Sequence, residues 1–232
     1  MEGIIIENKS NLFKIKIKNE TYDANARGKF KNKDLAPVVG DKVKISILDE
    51  NKKLAVIEEI LPRSTYIKRP KMSNVTQLIL VVSSKNPKPD LLLLDKQLAF
   101  AEFLGIKAVI VLNKTDLDKK KKFEDIEKVY TKIGYPVIKT IAKKEIKAGN
   151  ENLKDDCISK LTDVLKNNIN VFSGNSGVGK STLINAIFCD NITDEGEISL
   201  RNKRGKNTTT STRLYEIDEN TYIADTPRIF YF

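Results

Sequence analysis

From residue 1 to about 65, apolar and polar positions alternate with a period of two. Phe13, Ile15 and Ile17 are interleaved with Lys14, Lys16 and Lys18, and Val43, Ile45 and Ile47 repeat the pattern. Alternation of this kind predicts short strands, each with one apolar and one basic face. Turn formers at residues 8–11, at Gly28, at Gly40-Asp41 and at Glu50-Asn51 give the spacing of a small antiparallel barrel. A barrel of the oligonucleotide-binding (OB) type and an SH3-like barrel fit the periodicity equally well. Lysines on the outer face of such strands more often protect edges and hold water than bind a partner.

Beyond Pro62 to Pro70 the pattern changes to continuous apolar runs separated by helical periods. Leu78 to Val82 predicts a buried parallel strand, and Asp90 starts a helix over Leu91 to Leu104 that Gly105 stops. Ala108 to Leu112 is a second strand. A helix near Phe123 to Ile133 places Ile126, Val129, Tyr130 and Ile133 on one face, and Val137 to Thr140 is a third strand. A helix near Leu153 to Lys166 leads to a fourth strand, Asn170 to Ser173. The expected fold is thus an N-terminal all-β OB-like barrel, residues 1–68, followed by an α/β domain, residues 69–232. Ligands are expected at the carboxyl ends of the strands of the second domain.

Composition narrows the chemistry. The 41 Lys and Arg against 31 Asp and Glu give a net charge of +10, which favours a polyanionic partner such as RNA. No histidine is present, so a serine–histidine triad, a His-ligated metal and an imidazole base are excluded. Cys157 and Cys189 form no CxxC pair, which provides neither a disulfide framework nor a thiolate zinc site. No apolar run reaches the roughly 18 residues that span a bilayer. The expected location is the cytoplasm, with no membrane partner.

Gly174-Asn175-Ser176-Gly177-Val178-Gly179-Lys180-Ser181 matches GxxxxGK[ST] between a strand and the helical run Thr182 to Phe188. Backbone amides of such a loop close around the α and β phosphates, Lys180 reaches the β and γ oxygens, and Ser181 offers a hydroxyl to Mg²⁺. Asn113-Lys114-Thr115-Asp116 follows a buried strand, where a carboxylate accepts from both N1–H and the exocyclic amine of guanine. Adenine presents no such pair of donors, so an aspartate facing it loses its partners. Thr140-Ile141-Ala142-Lys143 ends the next strand, where a backbone amide can meet the guanine carbonyl. Arg204 to Thr210 is a polar, basic segment able to order on a γ-phosphate and magnesium, and Tyr222 to Pro227 is a strand ending in Asp225, a candidate metal residue.

The guanine motif precedes the phosphate loop, the reverse of the usual GTPase order, so the domain is circularly permuted. With the β domain in front, PVVGDKV at Pro37 to Val43 and NPKPDLLLLDKQ at Asn86 to Gln97, the chain resembles the RsgA family of ribosome small subunit-dependent GTPases over about residues 1–227. The resemblance implies a GTP-hydrolysing factor of late 30S maturation, acting as a monomer and holding 16S rRNA through its barrel. It implies GTP or GDP and Mg²⁺ as ligands, the metal on Ser181, Thr209 and Asp225, and catalysis at Asn207, Thr208 and Thr209. It also implies a C-terminal zinc domain whose cysteine and histidine ligands the sequence to Phe232 does not contain. Asn207 stands where the family usually has histidine, and Arg228 where the aspartate motif has glycine. The competing expectation is a paralogue that binds guanine nucleotide and RNA with little or no hydrolysis.

Overall fold

The computed structural model of the chain describes residues 1–9, 12–31, 36–119, 121–141, 156–191 and 212–225. They divide into two compact units, 1–75 with 212–215 and 223–225, and 76–191 with 216–222.

Five strands build the first unit: β1 (Glu2–Lys9), β2 (Leu12–Ile17), β3 (Glu20–Ala26), β4 (Lys42–Asp49) and β5 (Leu54–Ile60). Their order is β1-β2-β3-β5-β4, and β4 pairs back onto β1 to close a barrel. The neighbours are antiparallel except β3 and β5, which run parallel. That parallel pair places the barrel with the OB type rather than the SH3-like alternative. The alternation does what its period requires: Phe13, Ile15, Val43 and Ile45 are buried inside, each contributing roughly 1.5–3 kcal/mol. The intervening lysines face outward, where they meet carboxylates on the neighbouring strand. Lys14 bonds Asp23 at 2.8 Å and Lys44 bonds Glu59 at 2.9 Å, and in the turn before β5 Lys53 bonds Glu20 at 2.7 Å.

The barrel continues into a small hairpin, β6 (Tyr66–Lys68) and β7 (Lys71–Ser73). A buried polar knot holds its base. Asp41, fully enclosed, accepts from the Val38 amide, from the Ser73 hydroxyl at 2.6 Å and from a forked Arg63 at 2.7 and 2.8 Å. The side-chain amide of Asn74 donates to the carbonyl of Gly40, and its oxygen accepts from the Ser64 amide. The sequence phrase Pro37 to Val43 thus supplies half of this knot.

In the second unit, β8 (Gln77–Ser83), β9 (Lys107–Asn113), β10 (Val137–Thr140) and β11 (Ile169–Ser173) lie parallel in the order β10-β9-β8-β11. All seven residues of β8 and all five of β11 are buried, as a sheet covered on both faces demands. The helices are α1 (Leu91–Leu104), α2 (Lys122–Ile133), α3 (Asp156–Leu165) and α4 (Lys180–Asn191). Helix α1 has the predicted bounds, with Asp90 accepting from the Leu93 amide at 3.0 Å and Gly105 in the left-handed conformation at its end. On α2 the expected face is corrected: Phe123, Ile126 and Tyr130 are buried, whereas Val129 is 54% and Ile133 65% exposed. The Tyr130 hydroxyl donates to Asp95 of α1 at 2.6 Å, which turns α2 toward α1 and leaves those two aliphatic side chains in water. Two further strands, β12 (Arg213–Asp218) and β13 (Thr221–Asp225), are divided between the units. In the second unit, the Tyr222 amide of β13 donates to the Asn168 carbonyl at 2.9 Å.

Candidate nucleotide site

The turn at residues 174–179 leaves β11 and enters α4, whose first residues are Lys180, Ser181 and Thr182. Glycine is required here by space as well as by torsion. A Cβ on Gly174 (φ +141°) would lie 2.2 Å from the Val81 carbonyl oxygen, and one on Gly179 (φ +105°) 2.2 Å from the Asn113 side-chain nitrogen. The first turn of α4 leaves its backbone N–H groups without helical partners, so the loop offers an anion both donors and the positive helix end.

The Lys180 ammonium folds over this loop and donates to the carbonyls of Gly174 at 2.7 Å and Asn175 at 2.9 Å. Three donors minus these two leaves one for a phosphate oxygen. Burial holds its pKa below the ordinary lysine range. Ser181 is exposed, and Val178 is buried and anchors the loop to the core.

The guanine motif reaches the same loop from β9. The Asn113 side chain, buried at the strand end, donates to the Val178 carbonyl at 2.9 Å and accepts from the Thr140 hydroxyl at 3.0 Å. Lys114, in the left-handed conformation, donates to the carbonyl of Gly177 at 2.7 Å and to that of Asn86. Its own carbonyl accepts from Ser84 at 2.7 Å, and Thr115 donates to the Thr140 carbonyl at 3.4 Å. Asp116 stands exposed in the short 3-10 turn Thr115–Leu117, with its carboxylate open to solvent. Motifs some sixty residues apart in sequence are therefore joined by hydrogen bonds from Asn113 and Lys114 to the phosphate loop.

Asp90 was legible only as a helix cap, but it does more. While one carboxylate oxygen caps α1, the other accepts from the Asn175 amide at 3.2 Å, tying the phosphate loop to the start of that helix. Gln97 of α1 also donates to Ser173 at 2.7 Å, directly before the loop. Nothing in a single sequence pairs Asp90 with Asn175, because the contact spans 85 residues. Asp225 is the last residue of β13. Ala142, Lys143, Asn207, Thr208 and Thr209 lie outside the described residues.

A phosphate loop wired to a preceding NKxD motif, with the two in reversed order along the chain, defines a circularly permuted P-loop GTPase. The family model described as RsgA GTPase matches residues 60–231, and that of the RsgA N-terminal domain matches residues 2–57. The chain belongs to the RsgA GTPase family. It is 42% identical over 229 residues to the small ribosomal subunit biogenesis GTPase RsgA of Clostridium botulinum (strain Hall), covering 98% of this chain and 74% of that protein. The protein of the same name from Alkaliphilus metalliredigens is 37% identical over 226 residues, covering 97% and 74%. Among solved structures, YjeQ from Thermotoga maritima aligns with a TM-score of 0.78 at 34% identity, covering 98% of this chain and 74% of that one. YloQ, described as a circularly permuted GTPase, aligns with a TM-score of 0.74 at 28% identity, covering 98% and 71%.

Proposed function

We propose that this chain binds and hydrolyses GTP as a cytoplasmic, monomeric factor in late maturation of the small ribosomal subunit, holding small-subunit RNA through its barrel. The observation that carries the nucleotide reading is the pair of bonds from Asn113 to Val178 and from Lys114 to Gly177, which join the base motif to the phosphate loop. In this reading residues 174–179 cradle the phosphates, with Lys180 on the β and γ oxygens and Thr182 at the helix start. Asp116 selects guanine, and the backbone at Ala142 and Lys143 closes on its carbonyl.

Magnesium fits the donor set, since the Ser181 hydroxyl and the Asp225 carboxylate are hard oxygen ligands. Among the described residues no group of three acidic, His or Cys side chains could hold a metal alone. Magnesium keeps several waters and shares phosphate oxygens. Ser181, Thr209 and Asp225 are its proposed ligands, and it would neutralise charge on the β and γ phosphates. Asn207, Thr208 and Thr209 are the proposed catalytic segment, Asn207 holding the attacking water. The amide can orient that water but cannot take its proton, so intrinsic hydrolysis is slow and the subunit accelerates it.

Competition between GTP and ATP, followed by single-turnover hydrolysis with and without purified 30S subunits, tests this reading. Preference for GTP and a rate raised by subunits are expected, and Asp116→Asn should shift preference from guanine toward xanthine nucleotides. Equal affinity for ATP and GTP overturns the base assignment. A rate unmoved by subunits overturns the partner.

A further inference from the structure

We infer that the β6–β7 hairpin is a contact for the phosphate backbone of RNA, through Lys68, Arg69 and Lys71 at its tip. The inference rests on the small-subunit reading above and names the element that makes the contact. In the hairpin Tyr66 pairs with Ser73, Ile67 with Met72 and Lys68 with Lys71. Ile67 and Met72 are buried, so the base of the hairpin is fixed to the barrel by its apolar pair, by the Ser73 bond to Asp41 and by the Ser73 amide on the Val39 carbonyl at 3.0 Å. The next pair outward is two lysines facing each other, joined by Arg69-Pro70, with all three cations exposed.

Like charges directly opposite on neighbouring strands repel. On the barrel wall that problem does not arise, because Lys14, Lys44, Lys53 and Arg27 each pair with a carboxylate. Arg63, at the hairpin base, spends its charge on Asp41 and stacks on Tyr66 at 4.9 Å. Lys68, Arg69 and Lys71 have no acidic partner among the described residues. The hairpin tip therefore carries three unpaired cations in four residues, on a base held by a buried apolar pair and by the bonds of Ser73.

An anion lying across the tip relieves the repulsion, and a chain of phosphates engages all three cations together. A lipid surface fits less well: among the described residues none of the exposed large apolar side chains lies between residues 55 and 90, so the tip has nothing to insert. RNA matches the feature in charge and in lacking any need for apolar contact.

The test compares the full chain with the triple variant Lys68→Ala, Arg69→Ala, Lys71→Ala and with the wall variant Lys14→Ala, Lys44→Ala. Affinity for purified small subunits, and for protein-free small-subunit RNA, is measured as salt is raised. The slope of log affinity against log salt should fall by about two units in the triple variant, at about 0.7 per lost phosphate contact, and remain nearly unchanged in the wall variant. GTP affinity and the unfolding midpoint should stay at wild-type values. If the triple variant unfolds early, the single changes Lys68→Glu and Lys71→Glu carry the test, each weakening binding. An unchanged slope in a variant of a chain that binds subunits overturns the hairpin alone. Loss on subunits but not on free RNA overturns RNA as the ligand in favour of a protein. A wild-type chain that binds neither overturns the small-subunit reading and this inference with it.

Discussion

The barrel wall and the parallel sheet handle polar residues in opposite ways. In the barrel, every second side chain points to water, so Lys14 and Lys44 sit outside and find carboxylates beside them. In the sheet both faces are covered, and a polar side chain survives only with a designated partner. Gln77 donates to Val164 and Asn170, Ser83 to Pro87, Asn113 to Val178, and Thr140 to Asn113. Three of these, Ser83, Asn113 and Thr140, stand at the carboxyl ends of their strands, where the phosphate loop lies. The difference teaches where substitution will matter: enclosure and shared partners decide, not which unit a residue belongs to.

The sharpest test of that rule lies inside the barrel unit, at Asp41. Its carboxylate is fully enclosed and accepts four hydrogen bonds, two of them from Arg63. Asp41→Ala leaves the guanidinium without its counter-ion and the Ser73 hydroxyl and Val38 amide without an acceptor, so a loss of about 3 kcal/mol is expected in chemical denaturation. A loss under about 1 kcal/mol, the scale of a surface pair, would break the rule at its strongest point. In the sheet unit, Gly174→Ala puts a methyl group 2.2 Å from the Val81 carbonyl oxygen at a torsion alanine rarely adopts. Strain of about 2 kcal/mol follows, together with loss of GTP binding, both readable by thermal unfolding with and without nucleotide.

Lys180→Ala should leave the fold in place while GTP affinity falls about ten- to 150-fold, the worth of a charged hydrogen bond of roughly 1.5–3 kcal/mol. The pH dependence sharpens it. In the proposed reading the ammonium form makes the phosphate contact, and burial lowers the lysine pKa. Affinity is therefore full at neutral pH and declines as pH rises through that lowered value, below the ordinary lysine range. Loss of the guanine N1–H at alkaline pH weakens both proteins, so the alanine variant should show a shallower decline, and the difference between the two is the part due to Lys180. Isothermal titration at several alkaline pH values decides it.

Much of this was legible because period and punctuation are local. Helix α1 ran from a visible cap, Asp90, to a visible stop, Gly105, and the phosphate loop and NKTD announced themselves by spacing. The barrel type was not legible: OB and SH3-like barrels share the same alternation, and only the parallel pairing of β3 with β5 separates them. Nor was the buried face of α2, because the Tyr130 bond to Asp95 that turns it depends on another helix. The same holds for the knot at Asp41. Arg63 and Ser73 lie 22 and 32 residues away from it, and nothing in their neighbourhood marks them as partners of one carboxylate.

The smallest effect expected is on the barrel wall, at Lys44 and Glu59. These residues stand opposite each other on β4 and β5 and form a good bond at 2.9 Å, which by geometry alone would look important. Their side chains are 47% and 54% exposed, however, so water already solvates each charge and salt screens what attraction remains. Removing one leaves the other hydrated rather than stranded, the opposite of Arg63 without Asp41. Lys44→Ala, Glu59→Ala and the double change should therefore share the wild-type unfolding midpoint at physiological salt, with no measurable coupling in the cycle. A coupling that persists as salt is raised would mean that the wall pairs act as one network, and that lining a barrel with alternating charges stabilises it as enclosure does elsewhere.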